Sequence, residues 1–310
     1  MKTYAFAVDL GATNVRVGLI CSDGRIIERL KVNTPRHGKT PGVIPQKIAA
    51  MLESVASKHR RIPILGVGVS SMGPLDYRRG GPLSSPNIPF AFVPLVAPLS
   101  KRFNLPVVLL NDCNAAVLGE QRFGAGRRRK NILYITISTG IGAGALVDGR
   151  LVLGRSGNAA EVGHMVIDTA LNLPCTCGTG AGHWEGYASG RNIPRFFEAW
   201  TKANGCRTDF EPTDSKDLFE RARAGESLSR RFLEELHRIN GRAISNCIVA
   251  YDPEIITLGG SVALQNPTIL AGIKKYADRY LALPKIQRTP LGDDAGLLGA
   301  AAAVFARGRQ

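Results

Sequence analysis

Apolar and polar residues alternate along the start of the chain, and the pattern recurs near its middle. Residues 4–30 read as three short strands joined by a glycine turn and by Asp23-Gly24. Residues 133–153 repeat that order, with Ser138-Thr139-Gly140 as the first turn and Asp148-Gly149 as the second. Asp-Gly between alternating apolar runs is a strong hairpin signal. The same three-stranded unit occurring twice predicts two related halves.

Strand and helix patterns alternate through the rest of the chain. Apolar spacing predicts a helix over 43–60, and a second helix follows Asn111-Asp112. Short apolar runs predict strands over 64–69, 106–110 and 254–258. Strands that alternate with helices are typical of α/β architecture. Two hairpin-led sheets with helical crossovers therefore predict two lobes and a central cleft.

We predict that the division between the lobes falls at residue 112. The small N-terminal lobe is expected over residues 1–112, completed by an Ala-rich C-terminal helix over 296–310. The large lobe is expected over residues 113–295 and includes a loop-rich insert at 154–190.

The bulk composition is that of an ordinary globular protein. Of the 310 residues, 44% are apolar and 21% are charged, and no apolar run has membrane-spanning length. Because the first residues read as a strand and a turn, not as a signal peptide, we expect a cytoplasmic protein without membrane association. The formal charge of +15 is spread out, and its densest segments, 127–130 and 60–61, lack interleaved aromatic residues. A solvated basic surface is therefore favoured over a nucleic-acid platform.

Three glycine turns are candidates for binding a nucleotide. Residues 9–16 (DLGATNVR) and 138–144 (STGIGAG) each combine small residues with hydroxyl or amide groups. Two such turns can cradle a polyphosphate through backbone N–H groups, whereas a single one is better explained as a tight hairpin. Gly259-Gly260 ends a strand, where an adenine ring can approach the backbone or an ordinary turn can form. The sequence contains neither a Walker loop nor a Rossmann fingerprint.

Asn111-Asp112 lies at the carboxyl end of an apolar strand and at the start of a helix. Open α/β sheets bind ligands at such strand ends, where a carboxylate can accept the proton of an attacking hydroxyl. Asp and Asn are also favoured helix caps. The residues alone leave both interpretations open.

The insert contains a possible metal site. His164, Cys175, Cys177 and His183 supply two imidazoles and two thiolates within twenty residues. They form a complete tetrahedral Zn²⁺ set, which indicates a structural site. A loop with two reduced cysteines is the alternative. Glu161 and Glu185 flank these residues, within possible reach of a polyol.

Together these segments resemble the ROK family of sugar kinases and sugar-responsive repressors, within the actin-like ATPase (ribonuclease H-like) and hexokinase superfamily. Residues 9–16 and 138–144 resemble its phosphate motifs, 111–115 its sugar and catalytic motif, and 161–164 its sugar-contacting segment, while 291–301 also looks familial. The family's zinc loop usually reads C-x-C-G-x-x-G-C-x-E. Here it reads CTCGTGAGHWE, one residue longer, with His183 in place of the third Cys.

The resemblance implies an ATP-dependent kinase that phosphorylates the 6-hydroxyl of glucose or a related hexose, using Mg²⁺ and a structural Zn²⁺. It implies that Asp112 is the general base. The sugar would be held by Gly73 (in a turn that matches the family only loosely), Asn87, Asn111, Asp112, Glu161, His164 and Glu185. The nucleotide would be held by Asp9, Gly11, Ala12, Thr13, Asn14, Arg16, Thr139, Gly140, Gly259 and Gly260. The metal would be held by His164, Cys175, Cys177 and His183.

Three other functions compete with this one. A kinase for an N-acetylated amino sugar would differ only in the pocket near C2 of the sugar. A sugar-responsive repressor would carry a helix-turn-helix domain ahead of the first phosphate motif, whereas here a strand begins by Tyr4. An actin-like filament or chaperone ATPase would not need Glu161, His164 and the cysteine loop. The sequence leaves homodimer and homotetramer open.

Overall fold

The computed structural model describes residues 2–36, 40–60, 62–83 and 89–307. Contacts between residues divide the chain into two compact units. The first comprises residues 1–128, 150–159 and 290–310, and the second comprises 129–149 and 160–289. Asn87, one of the residues expected to hold the sugar, lies outside the described residues.

The first unit contains a five-stranded sheet with the order β3-β2-β1-β4-β7. Strand β1 pairs antiparallel with β2 and parallel with β4. The unit's elements are β1 (Tyr4–Leu10), β2 (Asn14–Cys21), β3 (Ile26–Asn33), α1 (Val43–Lys58), β4 (Ile64–Ser71), β5 (Leu75–Asp76), β6 (Gly81–Pro82), α2 (Val96–Phe103), β7 (Val107–Asn111), α3 (Asp112–Arg122), β10 (Arg150–Leu151), a 3-10 turn (Gly292–Asp294) and α10 (Ala295–Arg307).

Successive side chains of strand β1 point to opposite sides of the sheet, and residues on both sides are buried. Phe6 and Val8 pack into the core cluster that includes Leu52 of α1. Ala5 and Ala7 pack against the apolar face of α10. Small residues on that side leave room for a helix to approach closely.

Helix α3 belongs to the first unit, whereas the division predicted at residue 112 would place α3 in the second. It lies along α10, where Gly119 packs against Gly299. The two helices cover one face of the first sheet, and the contact between them is apolar and close. The carboxyl-terminal helix α10 and helix α3 thus both belong to the first unit.

The second sheet has the order β10-β9-β8-β11-β12. Strand β8 pairs antiparallel with β9 and parallel with β11, as β1 does with β2 and β4. The elements of the second unit are β8 (Ile132–Ile137), β9 (Ile141–Val147), a 3-10 turn (Val162–His164), α4 (Trp184–Ala188), α5 (Ile193–Ala203), α6 (Ser215–Arg223), α7 (Ser227–Tyr251), β11 (Ile255–Gly259), α8 (Ser261–Gln265), α9 (Pro267–Tyr276) and β12 (Lys285–Arg288).

The two sheets therefore have the same topology. In each, a three-stranded antiparallel unit leads into parallel strands that are joined through helices. The predicted α/β class and the predicted duplication of hairpin-led sheets are both confirmed. Among the described residues, none of the helices combines the length and apolar character that crossing a membrane requires.

Candidate active site

Asp9 lies near the end of β1, and its two neighbours follow from the sheet register. Antiparallel pairing places Arg16 opposite Asp9, with Nη1 3.8 Å from Oδ2. Parallel pairing places Ser70 on the other side, and its hydroxyl donates to Oδ1 at 3.0 Å. Burial raises the pKa of Asp9 to about 6, outweighing the opposing effects of Arg16 and Ser70, and the nearby charge of Asp112 adds to the rise.

The first glycine turn is tied to the neighbouring strand β3 and the segment after it. Gly11 N donates to Asn14 O at 2.9 Å, closing the turn. The Thr34 hydroxyl donates to Gly11 O at 2.7 Å, and Arg36 donates to Ala12 O at 2.9 Å. Thr13, between them, is exposed. These hydrogen bonds fix the turn from the segment that follows β3, and the Thr13 side chain is open to solvent.

The Asn111-Asp112 pair joins β7 to α3. Asn111 is the N-cap of α3, and its Oδ1 accepts from Cys113 N at 2.9 Å. Asp112 is the first helical residue, and its Oδ1 also accepts from Cys113 N at 2.8 Å. The capping role thus belongs first to Asn111. Gly73 lies beside this pair, because a Cβ atom there would stand 3.1 Å from Asn111 Nδ2.

Tyr77 is a neighbour of this pair that sequence reasoning missed. Burial raises its pKa, against smaller opposing effects of the Asn111 backbone and the Asn114 side chain, and its hydroxyl donates to Gly157 O at 3.4 Å. Its ring packs against Gly157, at 2.1 Å from the position a Cβ would take. No local pattern marks Tyr77, which lies 34 residues before Asn111 in the sequence.

In the second unit, the second glycine turn and the glycine pair lie together. Strands β8 and β11 are parallel neighbours, so Ser138 after β8 and Ser261 after β11 approach, with their hydroxyl oxygens 3.2 Å apart. Gly260 has φ 83°, and a Cβ there would lie 2.4 Å from Ile137 O. Glycine is therefore required at Gly260 by the backbone itself. The structure brings Thr139, Gly140, Gly259 and Gly260 into one region.

The four predicted metal ligands also come together. One ligand atom from each of His164, Cys175, Cys177 and His183 lies within 4.8 Å of every other. Cys175 Sγ is 3.8 Å from His164 Nδ1, and Cys177 Sγ is 3.6 Å from His183 Nδ1. Tetrahedral zinc, with Zn–S about 2.3 Å and Zn–N about 2.05 Å, places a sulfur and a nitrogen about 3.6 Å apart. The donor set and its spacing fit zinc.

The two thiols have different environments. Burial raises the pKa of Cys175 to about 11. Cys177 is exposed, and although desolvation acts in the opposite direction, hydrogen bonds with Thr179, Cys175 and His183 lower its pKa to about 7. The thiolate is the form that binds a metal, and of the two thiols Cys177 is the more easily ionised.

The two glutamates beside the cluster have different surroundings. Glu161 precedes the 3-10 turn of His164. Burial raises its pKa, and the nearby charges of His164 and Glu185 also act on that pKa. Glu185, in α4, accepts from Ile141 N at 2.9 Å and from the Thr176 hydroxyl at 3.1 Å. Sequence reasoning missed Thr176, although it stands between the two cysteines.

Comparison with known proteins bears on this arrangement. The ROK family profile matches residues 5–307. A glucokinase of Pyrobaculum calidifontis is 38% identical over 301 residues, covering 96% of this chain and 94% of that protein. An N-acetylmannosamine kinase of Haemophilus influenzae is 29% identical over 297 residues, covering 95% of this chain and 93% of that protein.

Solved structures are similar over the same length. A ROK hexokinase from Thermus thermophilus superimposes with a TM-score of 0.83 and 32% identity, covering 100% of this chain and 99% of that one. A ROK family glucokinase from Streptomyces griseus, in complex with glucose and AMPPNP, gives 0.77 and 31%, covering 98% and 99%. The predicted resemblance and the predicted actin-like fold are confirmed.

Proposed function

The chain belongs to the ROK family, and on that premise we propose that it is an ATP-dependent kinase for the 6-hydroxyl of glucose or a related hexose. The observation that carries the proposal is the similarity, over nearly the whole chain, to a glucokinase structure that contains glucose and AMPPNP. A cytoplasmic location, where ATP and free hexose meet, is part of the proposal.

In this proposal Asp112 is the general base. It takes the proton of the sugar 6-hydroxyl as that oxygen attacks the γ-phosphorus, and the bond from the γ-phosphorus to the ADP oxygen breaks. Two features support the assignment. Asn111 is the N-cap of α3, so the helix does not depend on Asp112 alone for capping. Asp112 also lies close enough to Asp9 for its charge to raise the pKa of Asp9. An anionic carboxylate at a helix N-terminus is also stabilised by the helix dipole.

The sugar is proposed to bind through a set of mostly polar residues. Asn111 is held by its cap bond, and Gly73 packs beside it, so its amide is positioned by the backbone. His164 turns Nδ1 toward Cys175, which leaves Nε2 as its second polar atom. The complete proposed set is Gly73, Asn87, Asn111, Asp112, Glu161, His164 and Glu185.

The nucleotide is proposed to bind at the glycine turns, with Mg²⁺ neutralising phosphate charge. The residues are Asp9, Gly11, Ala12, Thr13, Asn14, Arg16, Thr139, Gly140, Gly259 and Gly260. Two observations support this set. The last four residues lie close together in the structure. Thr13 is exposed, in a turn that accepts hydrogen bonds from the side chains of Thr34 and Arg36. Backbone N–H groups in such turns bind anions without strong dependence on side chains.

Zn²⁺ is proposed to bind His164, Cys175, Cys177 and His183, where it would hold the loop in shape. The fit of the donor atoms supports this site. Since one imidazole belongs to both the metal set and the sugar set, zinc would also fix the orientation of the His164 ring.

A kinase for an N-acetylated amino sugar is the second candidate, favoured by the similarity to an N-acetylmannosamine kinase. Purified protein should be assayed for ADP release with ATP, Mg²⁺ and a panel of glucose, mannose, fructose, N-acetylmannosamine and N-acetylglucosamine. The proposal expects ADP release that depends on an unsubstituted hexose. Release only with N-acetylated sugars would favour the second candidate, and equal turnover with and without every sugar would contradict both.

A further inference from the structure

The Glu185 carboxylate joins two parts of the second unit. Oε2 accepts from N of Ile141, the first residue of β9, at 2.9 Å. Oε1 accepts from Oγ1 of Thr176 at 3.1 Å. Ile141 directly follows the Ser138-Thr139-Gly140 turn, and Thr176 lies between the two cysteines of the metal cluster. One side chain therefore contacts both the phosphate turn and the cluster loop.

The segment that carries Glu185 also holds the other end of the turn. Gly190 N, shortly after α4, donates to Ser138 O at 2.7 Å. Asn192 is fully buried, and its Nδ2 donates to Glu185 O at 3.0 Å and to Thr176 Oγ1 at 3.3 Å. Hydrogen bonds from one short segment thus reach both ends of the turn and the cluster loop.

Gly140 shows how close this contact is. A Cβ atom at Gly140 would stand 2.7 Å from Glu185 Oε2. The carboxylate therefore packs directly on the turn, with no space between them to absorb a shift. Hydrogen bonds to an ionised acceptor are shorter and stronger than neutral ones. A displacement of Glu185 must then move the Gly140-Ile141 peptide.

We infer that Thr176 and Glu185 are positioning residues that transmit the geometry of the His/Cys metal cluster to the second phosphate turn. The metal cluster thereby sets nucleotide affinity in addition to holding the loop of His164. This inference rests on the proposed function, in which the turn binds phosphate. Thr176 contacts neither phosphate nor sugar in the proposal, so its effect is indirect.

The test uses two substitutions at Thr176 in the full-length protein. Thr176→Val removes the hydroxyl at nearly constant volume, and Thr176→Ser keeps it. ADP binding is measured by calorimetry without sugar, and KM values for ATP and glucose are measured separately. Thr176→Val should weaken ADP binding and raise the ATP KM by about fivefold or more, which is less than the full loss of a hydrogen bond to a charged acceptor because the effect on the turn is indirect. Its kcat at saturating ATP should fall less than about twofold, and Thr176→Ser should restore affinity to within about twofold.

Thermal melting and zinc content of both variants accompany these measurements. A lower melting temperature with unchanged ADP affinity would mean a merely structural hydroxyl and would overturn the inference. Wild-type protein should also bind ADP less tightly after its metal is removed by a chelator. Unchanged ADP affinity after verified metal loss would overturn the inference as well. A wild type that lacks hexose-dependent ADP release would instead count against the proposed function, so the two failures are distinguishable.

Discussion

Ser70 donates a hydrogen bond of 3.0 Å to Asp9, because the two residues are register partners in the parallel strands β4 and β1. Arg16 approaches the same carboxylate from β2. Despite both partners, the pKa of Asp9 is raised to about 6, because the side chain is only 19% exposed and burial dominates. This carboxylate is thus more easily protonated in the folded protein than in the unfolded chain.

The free energy of unfolding should depend on pH through Asp9. The unfolded pKa is 3.8 and the folded one is about 6. The stabilisation is therefore fully present below pH 3.8, and it is lost as pH rises through 6. A shift of this size corresponds to about 3 kcal/mol. Asp9→Asn keeps the acceptor for Ser70 but cannot ionise. Its stability relative to wild type should rise by up to that amount between pH 4 and pH 7 in urea titrations. Parallel pH profiles would contradict the raised pKa.

Asp112→Asn should abolish catalysis and preserve the fold. Loss of a general base costs about 10²–10⁴-fold in kcat, whereas Asn is as good as Asp near a helix start. ADP affinity should stay within about twofold of wild type, because the proposed base does not hold the nucleotide. The measurements are coupled ADP release and calorimetry.

Asp214→Asn is the matched control for that variant. Asp214 caps α6 through a bond to Asp217 N and has no proposed catalytic role. Its kcat should remain close to that of wild type. If Asp112→Asn behaved like Asp214→Asn, Asp112 would be a helix-start residue only.

Much of the fold could be predicted because its signals are local. Asp23-Gly24 and Asp148-Gly149, each between alternating strands, identify the two hairpins, and their repetition identifies the duplication. The proximity of the four candidate ligands could be predicted because His164 and His183 flank the cysteines within one loop. Contacts between segments that are far apart in the sequence could not be predicted. Glu185 meets Ile141 across 44 residues, and Tyr77 meets Gly157 across 80. Only the three-dimensional packing of whole elements creates these pairs.

The kcat/KM for ATP should depend on ionic strength, whereas the KM for the sugar should not. The first unit carries 22 Lys and Arg against 9 Asp and Glu, a net charge of +13, while the second carries 18 against 16, a net charge of +2. A cationic surface accelerates the encounter with an anionic substrate, and salt screens it. Between about 0.05 and 0.5 M salt, kcat/KM for ATP should fall at least about threefold. The KM for uncharged glucose, measured at saturating ATP, is the control and should change little. Equal salt effects on both would point to a general effect of salt on the enzyme.

The metal cluster gives the last prediction, which depends on His183 where the family usually has cysteine. Wild-type protein purified without chelators should contain close to one zinc per chain by elemental analysis. His183→Ala removes one of four ligands and should lower the zinc content and raise the KM for hexose, because the loop of His164 is no longer held. His183→Cys is the matched control. A thiolate is as good a zinc ligand as an imidazole, so this variant should retain zinc and most of its sugar affinity. Wild-type protein with far less than one zinc per chain would show that the four side chains meet without a metal. A His183→Ala variant with full zinc content would show that His183 is not a ligand.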